Sequence, residues 1–411
     1  MEVTQVRRRP AAPVLQHAPA APWAHRLALM SMFVYIAKVA NVVPVLGHLA
    51  LGKVLIGATV VMLVLEGGGW WEDVFGNPLI RPYLWLLALA TVTLPFAIWR
   101  ANSLHFLEDY YKDAVLAFLL IATTRTESDL RRLIWAFAIN TLILIGVLFK
   151  YGDTGVGSVK LGKNEIAMTA VMALGLALPM KTSGIRRLLK WAAMAVLVAG
   201  VLHSVSRGSY LGVAAVFGMY VYRRLGGRAL VTIVALIAAA FVAYLFLPAR
   251  AHATIETLIH YRHDYDLTSP QGRIAIWRHG LRIIAAHPLF GVGIGNFPIA
   301  EGQLHPNGGK WMDAHNAALQ VAAEMGLPAL IAFVSLIARM WRTGLRVGAT
   351  REGVLGQAGN AVFLGTWAYI VTGFFLSQGL SAILYVLLAI AVCTYRIDAV
   401  TQKKGDHVLH P

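Results

Sequence analysis

Charged residues are scarce in this chain. They make up 14% of its 411 residues, whereas soluble domains carry roughly 25%. Hydrophobic residues make up 58%. A composition this apolar excludes a soluble globular protein and indicates an integral membrane protein.

Cysteine and acidic residues are also few. Cys393 is the one cysteine of the sequence, which excludes a disulfide framework within the chain. The 20 acidic residues are outnumbered by 36 Lys and Arg, so the net charge is +16. These basic residues recur in short clusters between apolar runs, as in loops that face an anionic membrane leaflet. Membrane lipid is therefore the expected partner of this basic charge, and nucleic acid is not.

Apolar runs occupy most of the chain. A run of about 20 apolar residues can cross a bilayer as a helix, so the sequence predicts an all-α polytopic membrane protein with about twelve such helices. The predicted spans are 27–46, 49–65, 83–99, 104–123, 133–149, 165–180, 188–203, 209–222, 229–247, 315–340, 356–376 and 380–395.

The basic residues also predict an orientation. Lys and Arg are concentrated in the loops that share a side with the N-terminus, and cytoplasmic loops carry such an excess. Both termini are therefore expected in the cytoplasm. The predicted organisation is a disordered cytoplasmic tail (1–26), transmembrane helices 1–9 (27–247), a long outer loop with short helices (248–314), transmembrane helices 10–12 (315–396) and a second cytoplasmic tail (397–411).

A few basic residues lie on the predicted outer side, contrary to the excess of Lys and Arg in the cytoplasmic loops. Arg207 follows Ser206 in a very short break between two apolar runs, Arg273 lies in the long outer loop, and Lys160 and Lys163 precede the sixth span. One explanation for Arg207 is a guanidinium that snorkels to lipid headgroups. The alternative is binding of an anionic ligand, which the short break favours because it leaves the side chain little room to reach water.

Apolar spacing within the long outer loop predicts an interfacial helix. Its apolar face would consist of Ile274, Trp277, Leu281 and Ile284, because residues three and four apart share one face of a helix. Arg273 lies four residues before Trp277 and is therefore expected on the side of the helix that faces the bundle.

His315 is the candidate for proton transfer. It opens a long apolar run, and Asp313 just before it is a residue type that caps helix N-termini. The positive end of the helix dipole disfavours the imidazolium form, and a neutral imidazole can act as a general base. The alternative is a histidine that only forms hydrogen bonds at the membrane interface.

Two other motifs of the outer loop have structural explanations. Gly291, Gly293 and Gly295 lack the spacing and the preceding strand of a dinucleotide-binding loop, so they predict a tight turn or close packing. Asp264 and Asp266 have a spacing that could hold a divalent cation, although solvated loop carboxylates are more common.

Several motifs together resemble the O-antigen ligase family, whose superfamily also contains O-antigen polymerases and protein-glycosylating ligases. The long outer loop after the ninth predicted span is part of the likeness. The residues that carry it are His315-Asn316 with Gly326 downstream, Arg273 to Trp277, and the glycine-rich run His287 to Phe297.

The resemblance implies a GT-C-like glycosyltransferase of the bacterial inner membrane with its active site facing the periplasm. Such an enzyme transfers O-antigen from undecaprenyl pyrophosphate to a sugar hydroxyl of lipid A-core, with inversion and without a metal or other cofactor. His315 matches the family histidine that serves as general base, and Arg207 and Arg273 match the arginines that hold the pyrophosphate. The positions expected to support them are Lys160 and Lys163 at the phosphates, with Ser206, Asn316 and Asp313.

Two alternatives remain open from the sequence. A polymerase or a protein-directed oligosaccharide ligase of the same superfamily would use the same donor with a different acceptor. A flippase for lipid-linked sugars also has many spans and buried cations, but it requires charged residues along a path through the membrane. Apart from Lys38 in the first predicted span, the candidate cations gather on the outer side, which favours an enzyme.

Overall fold

The computed structural model describes residues 21–36, 51–67, 69–151, 162–226, 272–304 and 311–409. Within these ranges the protein is helical and contains no β-strand. In chain order the α-helices are α1 (Pro22–Ile36), α2 (Leu51–Leu65), α3 (Trp70–Phe75), α4 (Arg81–Val92), α5 (Arg100–Thr123), α6 (Glu127–Tyr151), α7 (Lys163–Ala177), α8 (Ile185–Ser204), α9 (Arg207–Leu225), α10 (Arg273–Ala286), α11 (Phe297–Gln303), α12 (Ala317–Thr350), α13 (Gly353–Gly373) and α14 (Ala382–Leu409).

Four of these helices are long and apolar enough to cross a membrane, namely α6, α12, α13 and α14, and α2 is a shorter apolar helix. The all-α, membrane-spanning class predicted from the sequence is confirmed to this extent. The full set of predicted spans and the GT-C-like arrangement stay predictions. The predicted span 229–247 lies outside the described residues.

Helices α7 and α13 form the centre of the bundle. Helix α7 packs against α6, α8, α9 and α13, and every residue from 166 to 180 is buried. A helix that is apolar around its whole circumference is stable only when other helices surround it. Helix α13 in turn contacts α9, α12 and α14, so these two helices connect most of the elements that carry the candidate residues.

Helices α12 and α13 run antiparallel because only Arg351 and Glu352 separate them. Their backbones approach closely where Gly348 of α12 meets Asn360 of α13, as small residues allow at helix crossings in membranes. The Asn360 amide also donates a 3.1 Å hydrogen bond to the Gly348 carbonyl. The start of α12 and the end of α13 therefore lie at the same end of the bundle.

A break at Gly326 separates the first turns of α12 from the rest of the helix. Gly326 has φ 83° and ψ 175°, and Pro328 follows it. Proline lacks the N–H that the Glu324 carbonyl would accept in a regular helix. The glycine-rich run supplies that donor instead, because the Gly293 N–H lies 2.8 Å from the Glu324 oxygen.

The glycine-rich run is shaped for this contact. Gly291 has φ 65°, which glycine adopts without steric cost, and a β-carbon there would overlap the Glu324 backbone. The Val292 N–H donates to the Ala323 carbonyl at 3.0 Å, and the Leu327 N–H donates to the Pro288 carbonyl at 2.8 Å. The prediction of a tight, closely packed turn is confirmed.

Candidate functional site

His315 lies two residues before the start of α12, in a strained conformation. Its φ is 47°, a left-handed value that is uncommon for any residue other than glycine. The His315 N–H donates a 2.8 Å hydrogen bond to Ser377 Oγ, which lies in the connection between α13 and α14. This bond ties the candidate general base to a segment for which the sequence predicted no role.

Asn316 caps α12. Its Oδ1 accepts the Leu319 N–H at 2.9 Å, and its Nδ2 donates to the Phe374 carbonyl at 3.2 Å. The prediction that Asp313 is the cap was wrong, because Asn316 is the residue directly before the first helical turn and reaches its third N–H. Asp313 is exposed and lines a cavity together with His315.

Arg207 is half-buried at the first position of α9, directly after Ser206. Ser206 is buried, and its Oγ accepts a 3.1 Å hydrogen bond from Ser209 Oγ rather than capping the helix. Val205, just upstream, has φ 58°, which a β-branched residue rarely adopts. Among the described residues, the non-glycine residues with positive φ are Val205 and His315, and both adjoin the candidate site. Backbone strain of this kind is concentrated at functional sites.

Arg273 lies on the bundle side of α10, as predicted. It is half-buried, and its guanidinium carbon lies 5.9 Å from the centre of the Phe375 ring. One turn later, the ring of Trp277 meets that of Phe374 at 5.4 Å. Gly208, the neighbour of Arg207, also lies directly against Phe375. The two arginines, which are distant in sequence, therefore begin helices that pack against the same aromatic residue.

The buried face of α10 matches the predicted one only in part, since Trp277 and Ile284 are half-buried and packed. It consists of Ile276, Gly280 and Ile283, whereas Ile274 and Leu281 are 40% and 62% exposed. Gly280 allows α10 to lie directly against α12, and this tertiary contact rotates the helix away from the orientation that hydrophobicity alone indicates.

The connection between α13 and α14 consists of residues 374–381 and contacts the starts of α9, α10 and α12. Besides the contacts described above, the Gln378 amide donates a 2.9 Å hydrogen bond to Glu165 Oε1 in the first turn of α7. The N-terminal ends of α7, α9, α10 and α12 thus all contact this short connection. Sequence reasoning missed it because it contains no charged residue.

The converging helix ends create a basic environment. Each helix N-terminus presents backbone N–H groups without partners inside the helix and a partial positive charge. The N-cap positions of α7, α9 and α10 are Gly162, Ser206 and Gly272, and none of these side chains caps its helix. Arg207 and Arg273 are the first residues of two of these helices, and Lys163 is the first residue of α7. Such an arrangement suits an anion with several phosphate oxygens.

An acidic cavity lies beside this basic region. It has a volume of about 480 Å³, and His315 and Ser377 form part of its wall. Carboxylates accept hydrogen bonds from sugar hydroxyls but repel phosphates. The acidic residues that line the cavity are Asp109, Asp113, Glu165, Asp313 and Glu324.

His315 lines the acidic cavity, and its N–H contacts Ser377 in the connection. Two residues from Ser377, Phe375 packs against Arg273 and against Gly208, the neighbour of Arg207. Lys160, Asp264 and Asp266 lie outside the described residues. Within the described ranges, no group of three or more His, Cys, Asp and Glu residues has the geometry to hold a metal ion.

Residues 192–334 match the family model described as O-antigen ligase. This segment covers about a third of the chain and includes Arg207, Arg273, His315 and Asn316. None of the curated proteins matches the chain. The family resemblance carried by the sequence motifs is confirmed over the matched segment, and this part of the chain is similar to the O-antigen ligase family.

Proposed function

We propose that this protein is an O-antigen ligase, which transfers O-antigen polysaccharide from undecaprenyl pyrophosphate to a sugar hydroxyl of lipid A-core. The reaction takes place at the periplasmic face of the bacterial inner membrane and completes lipopolysaccharide. The observation that carries the proposal is that His315 lines an acidic cavity and contacts, through Ser377, the connection whose Phe375 packs against the starts of the helices that Arg207 and Arg273 begin.

The donor pyrophosphate binds on the basic side. Arg207 and Arg273 neutralise its oxygens, and the N–H groups at the starts of α9 and α10 contribute further hydrogen bonds. Lys163 and Lys160 supply additional positive charge from the start of α7 and the segment before it. As the glycosidic bond breaks, negative charge develops on the leaving pyrophosphate, and fixed cations stabilise that charge in a site of low dielectric constant.

The acceptor sugar occupies the acidic cavity. Carboxylates along its wall hold the hydroxyl groups, and the His315 imidazole removes the proton from the attacking hydroxyl. The acceptor oxygen then bonds to the anomeric carbon while the bond from that carbon to the pyrophosphate oxygen breaks. Undecaprenyl pyrophosphate leaves with the electron pair, the anomeric configuration inverts, and the imidazolium releases its proton to solvent.

Transfer by the purified protein in proteoliposomes tests this proposal. With lipid-linked O-antigen as donor and purified lipid A-core as acceptor, we expect core molecules that carry O-antigen on a gel. We expect the same yield in EDTA, because Arg207 and Arg273 take the role that a divalent cation has in other pyrophosphate-dependent transferases. Loss of the product in EDTA would contradict the metal-independent mechanism and redirect attention to Asp264 and Asp266.

A deletion strain distinguishes the ligase from a polymerase of the same superfamily. Without a ligase, polymerised O-antigen accumulates on its lipid carrier and the lipid A-core stays bare. Without a polymerase, the core carries a single repeat unit. We expect the first pattern on lipopolysaccharide gels, restored to wild type by the intact gene, and the second pattern would contradict the proposed acceptor.

A further inference from the structure

A second cavity lies at the end of the bundle opposite His315. It has a volume of about 750 Å³, and its wall includes the last residues of α12 and the first residues of α13. Helix α13 runs from this cavity to the connection at residues 374–381, and its 21 residues span about 31 Å. The cavity is therefore separated from the candidate active site by the thickness of a bilayer core.

Basic side chains dominate the wall of this cavity. Lys181, Arg223, Arg224 and Arg351 line it, whereas Glu352 is the acidic residue among its lining residues. This is the side of the bundle to which the distribution of Lys and Arg assigns the cytoplasm. The excess of positive charge indicates an anionic ligand.

Two of these arginines are held by aromatic rings. The guanidinium carbon of Arg223 lies 4.5 Å from the centre of the Phe363 ring, and that of Arg224 lies 5.4 Å from the Tyr220 ring. Neither arginine forms an ion pair within the part of the chain that the structure describes. A guanidinium stacked on a ring keeps its in-plane N–H groups available, and these match the oxygens of a phosphate.

Arg351 has a different role in the wall. Its Nε lies 2.5 Å from Oδ1 of the buried Asp398 on α14, and Arg346 contacts the other oxygen of the same carboxylate at 3.1 Å. This pairing fixes the start of α13 against α14. The positive charge that remains for a ligand comes from Arg223, Arg224 and the exposed Lys181.

The surface next to the cavity is apolar. Beside Arg223 and Arg224, Tyr222 and Leu225 are 60% and 40% exposed, and Leu188 near the start of α8 is 65% exposed. In a membrane-spanning bundle, large exposed apolar side chains face lipid. A phosphate that enters from this side would arrive attached to a lipid.

We propose that this cavity binds the phosphodiester headgroup of an anionic phospholipid from the surrounding leaflet. Arg223 and Arg224 hold the phosphate oxygens and Lys181 adds a third positive charge, while the acyl chains extend along the exposed apolar surface of α9. Basic pockets between transmembrane helices on the cytoplasmic side recognise lipids in this way. Bound lipid stabilises the end of the bundle where α9, α12 and α13 meet, because it binds the folded state alone.

Lipid binding to the intact detergent-solubilised protein tests this proposal. Native mass spectrometry counts bound lipids, and thermal unfolding measures their effect, with phosphatidylglycerol, phosphatidylcholine or sodium pyrophosphate added separately. We expect phosphatidylglycerol to bind and to raise Tm, and phosphatidylcholine to do neither. Under the proposed function pyrophosphate binds at Arg207 and Arg273, so we expect its effect on Tm to be the same with or without Arg223 and Arg224. Replacement of both Arg223 and Arg224 by glutamine should weaken phosphatidylglycerol binding by roughly 30-fold, since each basic residue contributes to attraction by an anionic membrane.

The matched control is the double variant Arg186→Gln/Arg187→Gln. These exposed arginines begin α8 at the same end of the bundle, do not line the cavity, and carry the same total charge. If the two double variants lose phosphatidylglycerol binding to the same extent, the lipid is held by general attraction to the positively charged surface, and the specific site is overturned. A rise in Tm with pyrophosphate that is lost when Arg223 and Arg224 are replaced by glutamine would overturn the lipid as the source of the phosphate. Transfer activity in excess donor should be unaffected by either double variant, which separates this proposal from the proposed function.

Discussion

Replacement of His315 by alanine is expected to lower transfer of O-antigen to lipid A-core by about 10²- to 10⁴-fold, the range over which general bases contribute to catalysis. His315 lines the acidic cavity, and its backbone is held by Ser377. The variant should fold, because the side chain is only half-buried and the cap residue Asn316 remains. Initial transfer rates in proteoliposomes measure the loss of activity. Elution volume and thermal unfolding in detergent show whether the variant folds.

His203→Ala is the matched control for this variant. His203 is exposed near the end of α8, 4.9 Å from the ring of Phe149, and does not line the acidic cavity. The His203→Ala variant should transfer O-antigen at the wild-type rate. Wild-type activity in His315→Ala would contradict the role of general base.

The Ser377→Ala variant should lower the transfer rate by about 2- to 12-fold. This substitution removes one hydrogen bond, worth about 0.5–1.5 kcal/mol, that positions His315.

Replacement of Arg207 or Arg273 by alanine is expected to lower transfer by about 10²- to 10³-fold each, the cost of removing one donor from a site that stabilises developing negative charge. The loss should appear mainly in kcat, since the charge on the leaving pyrophosphate increases as the bond breaks. Lysine at either position should restore only part of the rate, because an ammonium group cannot contact two phosphate oxygens in the planar manner of a guanidinium.

Arg278→Ala is the control for Arg273→Ala. Arg278 lies on the same helix, slightly more than one turn later, and is exposed. Its removal takes away the same charge without touching the aromatic contact at Phe375, so the rate should stay within about twofold of wild type. Equal losses in Arg273→Ala and Arg278→Ala would show that net charge on the loop, and not a positioned guanidinium, determines activity.

Hydropathy predicted the position of helices better than their ends. The predicted span 49–65 nearly coincides with α2 (Leu51–Leu65), because that helix is apolar along its length except for Lys53 and Thr59. The predicted span 380–395 corresponds to α14 (Ala382–Leu409), which continues well beyond the apolar run. Backbone hydrogen bonds extend a helix into polar surroundings, whereas hydropathy marks only the part that is suited to lipid.

In the candidate site, too, the sequence predicted some features and only the structure revealed the others. His315, Arg207 and Arg273 are recognisable in the sequence because they interrupt or border apolar runs where charge is unexpected. Ser377 and Phe375 gave no such signal, since a serine and a phenylalanine are ordinary residues at the end of a transmembrane helix. Their importance follows from what they contact: the backbone of His315 and the starts of α9 and α10.

The sequence by itself determined an all-helical membrane protein, a resemblance to the O-antigen ligase family, and which basic and imidazole side chains are out of place. These are local properties, since the free energy of placing a residue in a bilayer depends on that residue and its immediate neighbours. Only the tertiary structure decided that four helix N-termini meet one short connection, that Asn316 rather than Asp313 caps α12, and that a basic cavity lies at the opposite end. Those arrangements depend on packing between segments far apart in the chain, where a glycine or a proline alters the path of a whole helix.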